Sequence, residues 1–331
     1  MAKRTVVVFG GGGYVGAVLV PMLLSEGYAV RVFDTFWYGN KVFAAEFKNP
    51  NLQLITGDVR DLEAVTSGLR GATDVIHLAC ISNDPSFDLD PKLGKSINLD
   101  SFEPTVNAIK HSSVERFIYA SSSSVYGVRD EKRITEDLSL SPLTDYSKYK
   151  ARCEEILLNE SLNDKVVTIV RPATVCGYST RQRLDLVVNI LTTTALGHNE
   201  IKVFGGQQYR PNLHIADMVE SYLALLEASP KSINQEVFNI GSKNLTVREI
   251  AEAVREEVGK EIEIQFLETN DLRSYRVDSS KIQKHIGFSP KFTVNDAIKD
   301  LKNNFGEFKS SDPLSDPRYI NIARMKELKL G

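Results

Sequence analysis

Tyr146 and Lys150 stand four residues apart in YSKYKARCEEILLN, a stretch from Tyr146 to Asn159 that reads as a helix. An i, i+4 spacing puts both side chains on one helix face. An ammonium beside a phenol favours the phenolate and lowers its pKa, so the pair could take or give a proton near neutral pH. A second stretch with chemical potential is VVVFGGGGYVG, from Val6 to Gly16. Apolar β-formers run into glycines, and helical spacing starts at Tyr14 and carries on through Leu24. Gly10, Gly13 and Gly16 recur every third residue, with Gly11 and Gly12 filling the gap. A pyrophosphate can sit on a helix N-terminus only where the backbone turns sharply and no Cβ blocks its approach. Asp34 ends the next apolar strand, AVRVF, about 20 residues past the glycines, where a carboxylate can accept hydrogen bonds from an adenosine ribose. No Arg or Lys follows it immediately in TFWYGN, so a ribose 2′-phosphate would be repelled. NAD is therefore expected rather than NADP.

These groups need strands that deliver them to one edge. LQLITGD (Leu52 to Asp58) is a third strand, with Asp58 and Val59 at its carboxyl end, where an adenine could dock. DVIHLAC (Asp74 to Cys80) is a fourth and opens into ISNDPS. A helix is expected from Leu93 to His111, containing Asn98. RFIYASSSSVYG (Arg116 to Gly127) is a fifth strand that runs into four serines, and KVVTIVRP (Lys165 to Pro172) is a sixth. Strands ending in small or polar residues and separated by helices predict an α/β protein with a doubly wound parallel sheet of Rossmann type, ligands lying at the carboxyl ends. After Pro172 the character changes. The loop ATVCGYSTRQRLD leads to a helix over Leu184 to Leu196, a Gly-Gly turn, a short strand and a helix from Asp217. EVFNIG (Glu236 to Gly241) looks like a last sheet strand, followed by a capped helix from near Thr246, a strand at Glu261 to Phe266 and two more helices. The expected division is a dinucleotide lobe of residues 1–172 with about 212–241, and a smaller interleaved α/β substrate lobe of 173–211 and 242–306. Residues 307–331 read as a polar tail with the composition of a mobile segment.

Length and composition narrow the classes. The 331 residues are 42% hydrophobic and 25% charged, as in an ordinary soluble globule. A net charge of -3 gives no electrostatic reason to expect nucleic acid or an acidic membrane as partner. Cys80, Cys153 and Cys176 have no metal-like spacing and read as free thiols in a reducing compartment, so no metal is expected. The chain enters its first strand at once and has no apolar run of spanning length, which predicts a cytoplasmic protein.

Taken together, GGGGYVG, Asp34, Gly57-Asp58, HLA at His77 to Ala79, SSSSVYG, YSKYK, Arg171, RPNLHIAD and NIG resemble the extended short-chain dehydrogenases/reductases that act on nucleotide sugars, over roughly residues 5 to 305. The resemblance implies that Tyr146 is the catalytic base, Lys150 its helper and a ligand of the nicotinamide ribose, and Ser122, four residues before Tyr126, the catalytic serine. It implies an NAD site of Gly10, Gly13, Tyr14, Val15, Gly16, Asp34, Asp58, Val59, Leu78, Ala79, Asn98 and Pro172, together with Tyr146 and Lys150. A nucleotide-diphosphate sugar would meet Ser82, Ser123, Ser124, Thr174, Asn189, Val203, Arg210 and Arg273, with Arg210 holding the diphosphate as a bidentate donor. A homodimer is implied too, the helices after Leu93 and after Tyr146 forming a four-helix interface.

Departures from the family pattern refine this expectation. Related 4,6-dehydratases follow the Ser/Thr with Asp-Glu and decarboxylases place a Glu two residues after it, whereas here Ser123 and Ser124 stand there. No acid is supplied to eliminate water. GDP-mannose 3,5-epimerases carry a Cys at the position of Ser124. Galactose epimerases have Asn where this chain has Thr174, and a second phosphate-binding Arg where it has Glu268, so Arg273 or Arg276 would take over that role. The stretch RPATVCGYSTRQRLDLVVNIL looks closer to sugar dehydrogenases of surface-polysaccharide pathways, including GDP-heptose 4-dehydrogenases. The expected activity is a nucleotide-sugar 4-epimerase acting by transient oxidation. Its alternatives are a net 4-dehydrogenase giving a 4-keto sugar and, in another class, a non-catalytic NAD-binding sensor.

Overall fold

The computed structural model describes residues 4–82, 84–160, 162, 164–269, 274–308 and 310–330. Its main sheet contains β1 (Thr5–Phe9), β2 (Ala29–Asp34), β3 (Leu52–Thr56), β4 (Asp74–His77), β5 (Arg116–Ala120) and β6 (Val166–Pro172). The smaller strands β7 (Thr174–Cys176), β8 (Glu200–Phe204) and β9 (Tyr209–His214) come next. They are followed by β10 (Glu236–Ile240), β11 (Asn244–Thr246) and β12 (Glu263–Leu267). Seven strands form the main sheet in the order β10-β6-β5-β4-β1-β2-β3, every pair parallel. From β1 the chain builds outward one way through β2 and β3, then returns to build the other way from β4. That reversal leaves a crevice at the carboxyl ends of β1 and β4, where doubly wound sheets bind ligands.

A parallel sheet covered on both faces needs unbroken apolar strands. Val6, Val7, Val8 and Phe9 satisfy this and are fully buried. Val6 and Val8 face helices Gly16–Ser25 and Ile215–Glu227 through Leu19, Leu23 and Tyr222. Val7 and Phe9 face the other way, towards helices Leu62–Leu69, Phe102–Lys110 and Asp145–Asn159, through Val65, Val106 and Leu157. Two small sheets, β11-β9-β7 and β12-β8, pack beside helices Val187–His198, Val247–Val258 and Val294–Asn303 around Val188, Ile201, Ile250 and Ile298.

The helix expected over Leu93 to His111 is broken. A short helix Pro91–Lys95 passes through a π-helical turn, Ser96–Asp100, before helix Phe102–Lys110. A larger difference lies at the C-terminus. The stretch read as a mobile polar tail folds back, with helix Asn321–Glu327 at its end. Met325 is buried in the same core as Phe87 and Ile97, and Phe308 stacks on Tyr178 and meets Tyr319. Widely spaced apolar residues in a polar stretch are enough to anchor it. No helix among the described residues is long and apolar enough to cross a membrane.

Candidate active site

One cavity of about 1100 Å³ lies over the crevice at the strand ends. The glycine turn forms its floor. Gly10 has φ of +76°, and a Cβ there would lie 2.5 Å from the backbone nitrogen of Ala79, so only glycine lets β1 turn this close to the exit of β4. A Cβ on Gly16 would lie 2.1 Å from the Gly11 carbonyl, which makes this glycine a condition for the helix starting where it does. No side chain caps the N-terminus of helix Gly16–Ser25, where Val15 holds the N-cap position. Ala17 and Val18 N–H already donate to the Gly13 and Val15 carbonyls, so an anion would be met by the N–H groups just ahead of them, at Val15 and Gly16. Gly13, Tyr14 and Val15 line the cavity beside them.

Asp34 lines the cavity at the end of β2, its carboxylate accepting from Gly12 N–H at 2.9 Å and Phe36 N–H at 2.7 Å. Burial pushes this carboxyl up, opposed by those two bonds and by Arg181. Asp58 and Val59 line the same end, Asp58 in a salt bridge to Arg60 at 2.6 Å. Leu78 and Ala79 line the middle and Pro172 the far side. The cradle, the open helix terminus and the fixed carboxylate fit a dinucleotide.

Ser122, Tyr146 and Lys150 meet at the other end of the cavity. Helix Asp145–Asn159 starts at a capping box, in which Thr144 Oγ1 accepts from Ser147 N–H and Ser147 Oγ accepts from Thr144 N–H. That box fixes the turn bearing Tyr146. The Ser122 hydroxyl stands beside the Tyr146 phenol, near enough to pull its pKa down. Lys150 is buried and donates from Nζ to the Ala120 carbonyl at 2.6 Å, over the Tyr119 ring. In place of the lowered phenol pKa expected from the sequence, desolvation in the cleft pushes Tyr146 up, while Arg183 and Ser122 pull it down. The reason is burial: the cost of desolvating the phenolate outweighs the pull of the neighbouring groups.

The serine strand end continues the site. Ser123 and Ser124 line the cavity, Ser124 Oγ lying 2.9 Å from Ser122 Oγ and Ser123 Oγ donating to the Tyr275 hydroxyl at 3.5 Å. Ser82, Thr174 and Arg210 line it as well. Three expected site residues do not. Asn98, turned inward by the π-helical turn, uses its amide on the backbone of Ile81, accepting at 2.8 Å and donating at 2.9 Å. Asn189 is buried and bonds Gly177 N–H, the Tyr14 hydroxyl and the Arg183 carbonyl. Val203 points into the core beneath the two small sheets, while its neighbours Lys202 and Phe204 line the cavity. Arg273 lies outside the described residues.

Other groups escaped the sequence reading. Glu154 lies two helical steps beyond Tyr146 and receives Arg171 through Nε at 3.0 Å and Nη2 at 2.6 Å. Ser121 also donates to Glu154, and Arg171 Nη1 reaches the Tyr126 hydroxyl at 2.7 Å. Tyr126 in turn donates to Asn239 Oδ1 at 2.8 Å. This buried network ties the ends of β5, β6 and β10 beneath Ser122. The repeated i+4 step Tyr146-Lys150-Glu154 was its signal in the sequence.

A glycine-turn floor, a ribose-side carboxylate and a Ser-Tyr-Lys cluster on one cavity define a dinucleotide-dependent enzyme of the short-chain dehydrogenase/reductase type. The chain belongs to the NAD dependent epimerase/dehydratase family, whose model matches residues 6–241. It is 26% identical to the UDP-glucose 4-epimerase of Lactobacillus helveticus, over 88% of this chain and 94% of that one. It is 28% identical to UDP-arabinose 4-epimerase 1 of Arabidopsis thaliana, over 87% and 76%. Among solved structures, a UDP-glucuronic acid 4-epimerase from Bacillus cereus, in complex with UDP-glucuronic acid and NAD, superposes with a TM-score of 0.83 at 26% identity, covering 92% of this chain and 99% of that one.

Proposed function

We propose that this enzyme is an NAD-dependent 4-epimerase of a nucleotide-diphosphate sugar. The observation that carries the reading is the placement of Ser122, Tyr146 and Lys150 on the same cavity as the glycine turn and Asp34. Tyr146 takes the proton from the sugar's carbon-4 hydroxyl, and Ser122 hydrogen-bonds the same oxygen. Lys150, held by the Ala120 carbonyl, adds positive charge that favours the phenolate. NAD held at the glycine turn and Asp34 would supply the hydride acceptor for carbon 4 and return the hydride to the opposite face once the keto sugar has turned over. Ser123 and Ser124 offer hydroxyls but no acid, so water is not eliminated. Three named 4-epimerases among the relatives support epimerisation over net oxidation. In this reading residues 1–172 with about 212–241 carry the dinucleotide, and 173–211 with 242–306 carry the nucleotide sugar. Two copies pair in the cytoplasm through the helices after Leu93 and after Tyr146; a monomer mass in solution would overturn that pairing.

The test is a melting-temperature screen with NAD against UDP-, GDP-, CDP- and dTDP-sugars, each hit followed by 340 nm absorbance and by product analysis. The expected result is a stabilising sugar converted to its carbon-4 epimer with no build-up of NADH. A keto product with stoichiometric NADH would make the enzyme a net 4-dehydrogenase. Binding without turnover, unchanged by Tyr146→Phe, would leave an NAD sensor.

A further inference from the structure

Facing the strand ends across the cavity is a wall with an electrostatic imbalance. The segment between β7 and helix Val187–His198 is tied down over the glycine turn: Tyr14 Oη donates to the Gly177 carbonyl at 2.6 Å, and Ser179 Oγ donates to the Tyr14 carbonyl at 2.9 Å. Arg181 and Arg183 line the cavity from this segment. Arg183 is balanced by Asp185, Nε to Oδ1 at 2.5 Å. Arg181, only 4% exposed, bonds neutral oxygens instead, Nη2 to Asn321 Oδ1 at 2.6 Å and Nη1 to the Gln182 carbonyl at 3.4 Å. Its guanidinium lies 3.5 Å from the centre of the Tyr38 ring, and its Nε has no hydrogen-bond partner among the described residues. A buried guanidinium bonded to neutral groups is costly unless something anionic joins it.

Asn321 comes from the C-terminal helix and joins three parts of the cavity. Its Oδ1 also accepts from the Tyr38 hydroxyl at 3.0 Å, and its Nδ2 donates to Ser82 Oγ at 3.3 Å. Arg324 Nε fastens the same helix to the Trp37 carbonyl at 2.5 Å, while Ile322 and Met325 line the cavity. Arg181 lines the same cavity as Val15 and lies near enough to Asp34 to pull its carboxyl down, and the C-terminal helix holds it there through Asn321.

We infer that Arg181 binds the pyrophosphate of the dinucleotide, and that helix Asn321–Glu327, through the positioning residue Asn321, forms a wall of the cofactor site that retains the dinucleotide between turnovers. The inference rests on the reading of the cleft as a dinucleotide site. The test is calorimetric titration of NAD into nucleotide-stripped full-length protein, as wild type, Arg181→Gln and Asn321→Asp. The nucleotide carried through purification is measured alongside. Asn321→Asp keeps an oxygen for Arg181 but cancels its charge. The expected result is a Kd for NAD raised about tenfold or more in both variants, the range for losing a charge-assisted hydrogen bond. Purified variants should carry little nucleotide, and affinity for whichever of UDP, GDP, CDP or dTDP binds wild type should stay within about twofold. If Arg181→Gln fails to fold, Asn321→Asp alone decides, since a purely structural role predicts that it binds NAD normally. Unchanged NAD affinity, or a loss confined to the nucleoside diphosphate, overturns the inference. Wild-type protein that binds no NAD overturns the dinucleotide reading itself.

Discussion

The cavity has two walls built on different principles. One consists of strand ends, the glycine turn, Asp34 and the serines after β5, whose backbones are fixed by ladder bonds of a single parallel sheet. The other joins residues 140 positions apart, Arg181 and Asn321, through side chains alone. The first wall has its chemistry written into local geometry. A Cβ at Gly10 or a shift at Thr144 disturbs it directly. Nothing in the sheet requires the second wall, so it can be altered with the sheet intact. In the proposed reading the first wall carries the reacting groups and the dinucleotide cradle, and the second helps to retain the cofactor.

Changes to the strand-end wall should have the largest effects. Tyr146→Phe removes the proton acceptor and leaves the binding groups, so kcat should fall by roughly 10²- to 10⁴-fold, with NAD affinity and melting temperature close to wild type. A loss of NAD binding of similar size would erase the distinction between the walls. Glu154→Ala should act differently, through stability. It leaves Arg171 buried without its carboxylate, at a cost of about 3–5 kcal/mol, and frees Ser121 beside Ser122. The expected readout is a lowered melting temperature with kcat reduced in the protein that stays folded. A wild-type melting curve would mean that the strand ends do not depend on the network.

The first wall was legible in the sequence because its signals are local. Three glycines, an aspartate closing an apolar strand and a Tyr-Lys pair one helical step apart each need only short-range geometry. Lys150 was found for the right spacing, but its ammonium bonds a carbonyl from a strand that the spacing cannot see. Asn98 and Asn189 stand outside the cavity lining because their amides serve backbone groups, as an amide can as easily as it serves a ligand. Val203 stands one strand position from the residues that line the cavity. Along β8 exposure alternates, and period-2 geometry sends Val203 inward and Lys202 and Phe204 outward. The second wall was illegible for a stronger reason. Residues 307–331 are polar on average, and composition does not reveal that Met325 and Phe308 each find a pocket.

The smallest effect offers the cleanest separation of the walls. His77 lies beneath the strand ends at the end of β4, packed among the rings of Phe9, Phe102, Phe117 and Tyr119. Neither ring nitrogen has a hydrogen-bond partner among the described residues. Burial, with Lys150 nearby, pushes its pKa down to about 3. The unfolded chain takes up a proton near the ordinary value of 6.5 that the folded chain refuses. Stability from this group is thus full above 6.5 and drains away as the pH falls towards 3. By pH 5 the loss is about 2 kcal/mol. The carboxylates titrate in that range too, so the informative quantity is the difference between wild type and His77→Leu. The variant's melting temperature should fall less steeply between pH 7.5 and 5. Parallel curves would show that His77 takes up its proton in the fold. The guanidinium groups of the opposite wall keep their charge throughout this range. While the protein remains folded, any loss of NAD affinity on acidification should therefore trace to the Asp34 carboxyl, which burial pushes up, and not to the guanidinium wall.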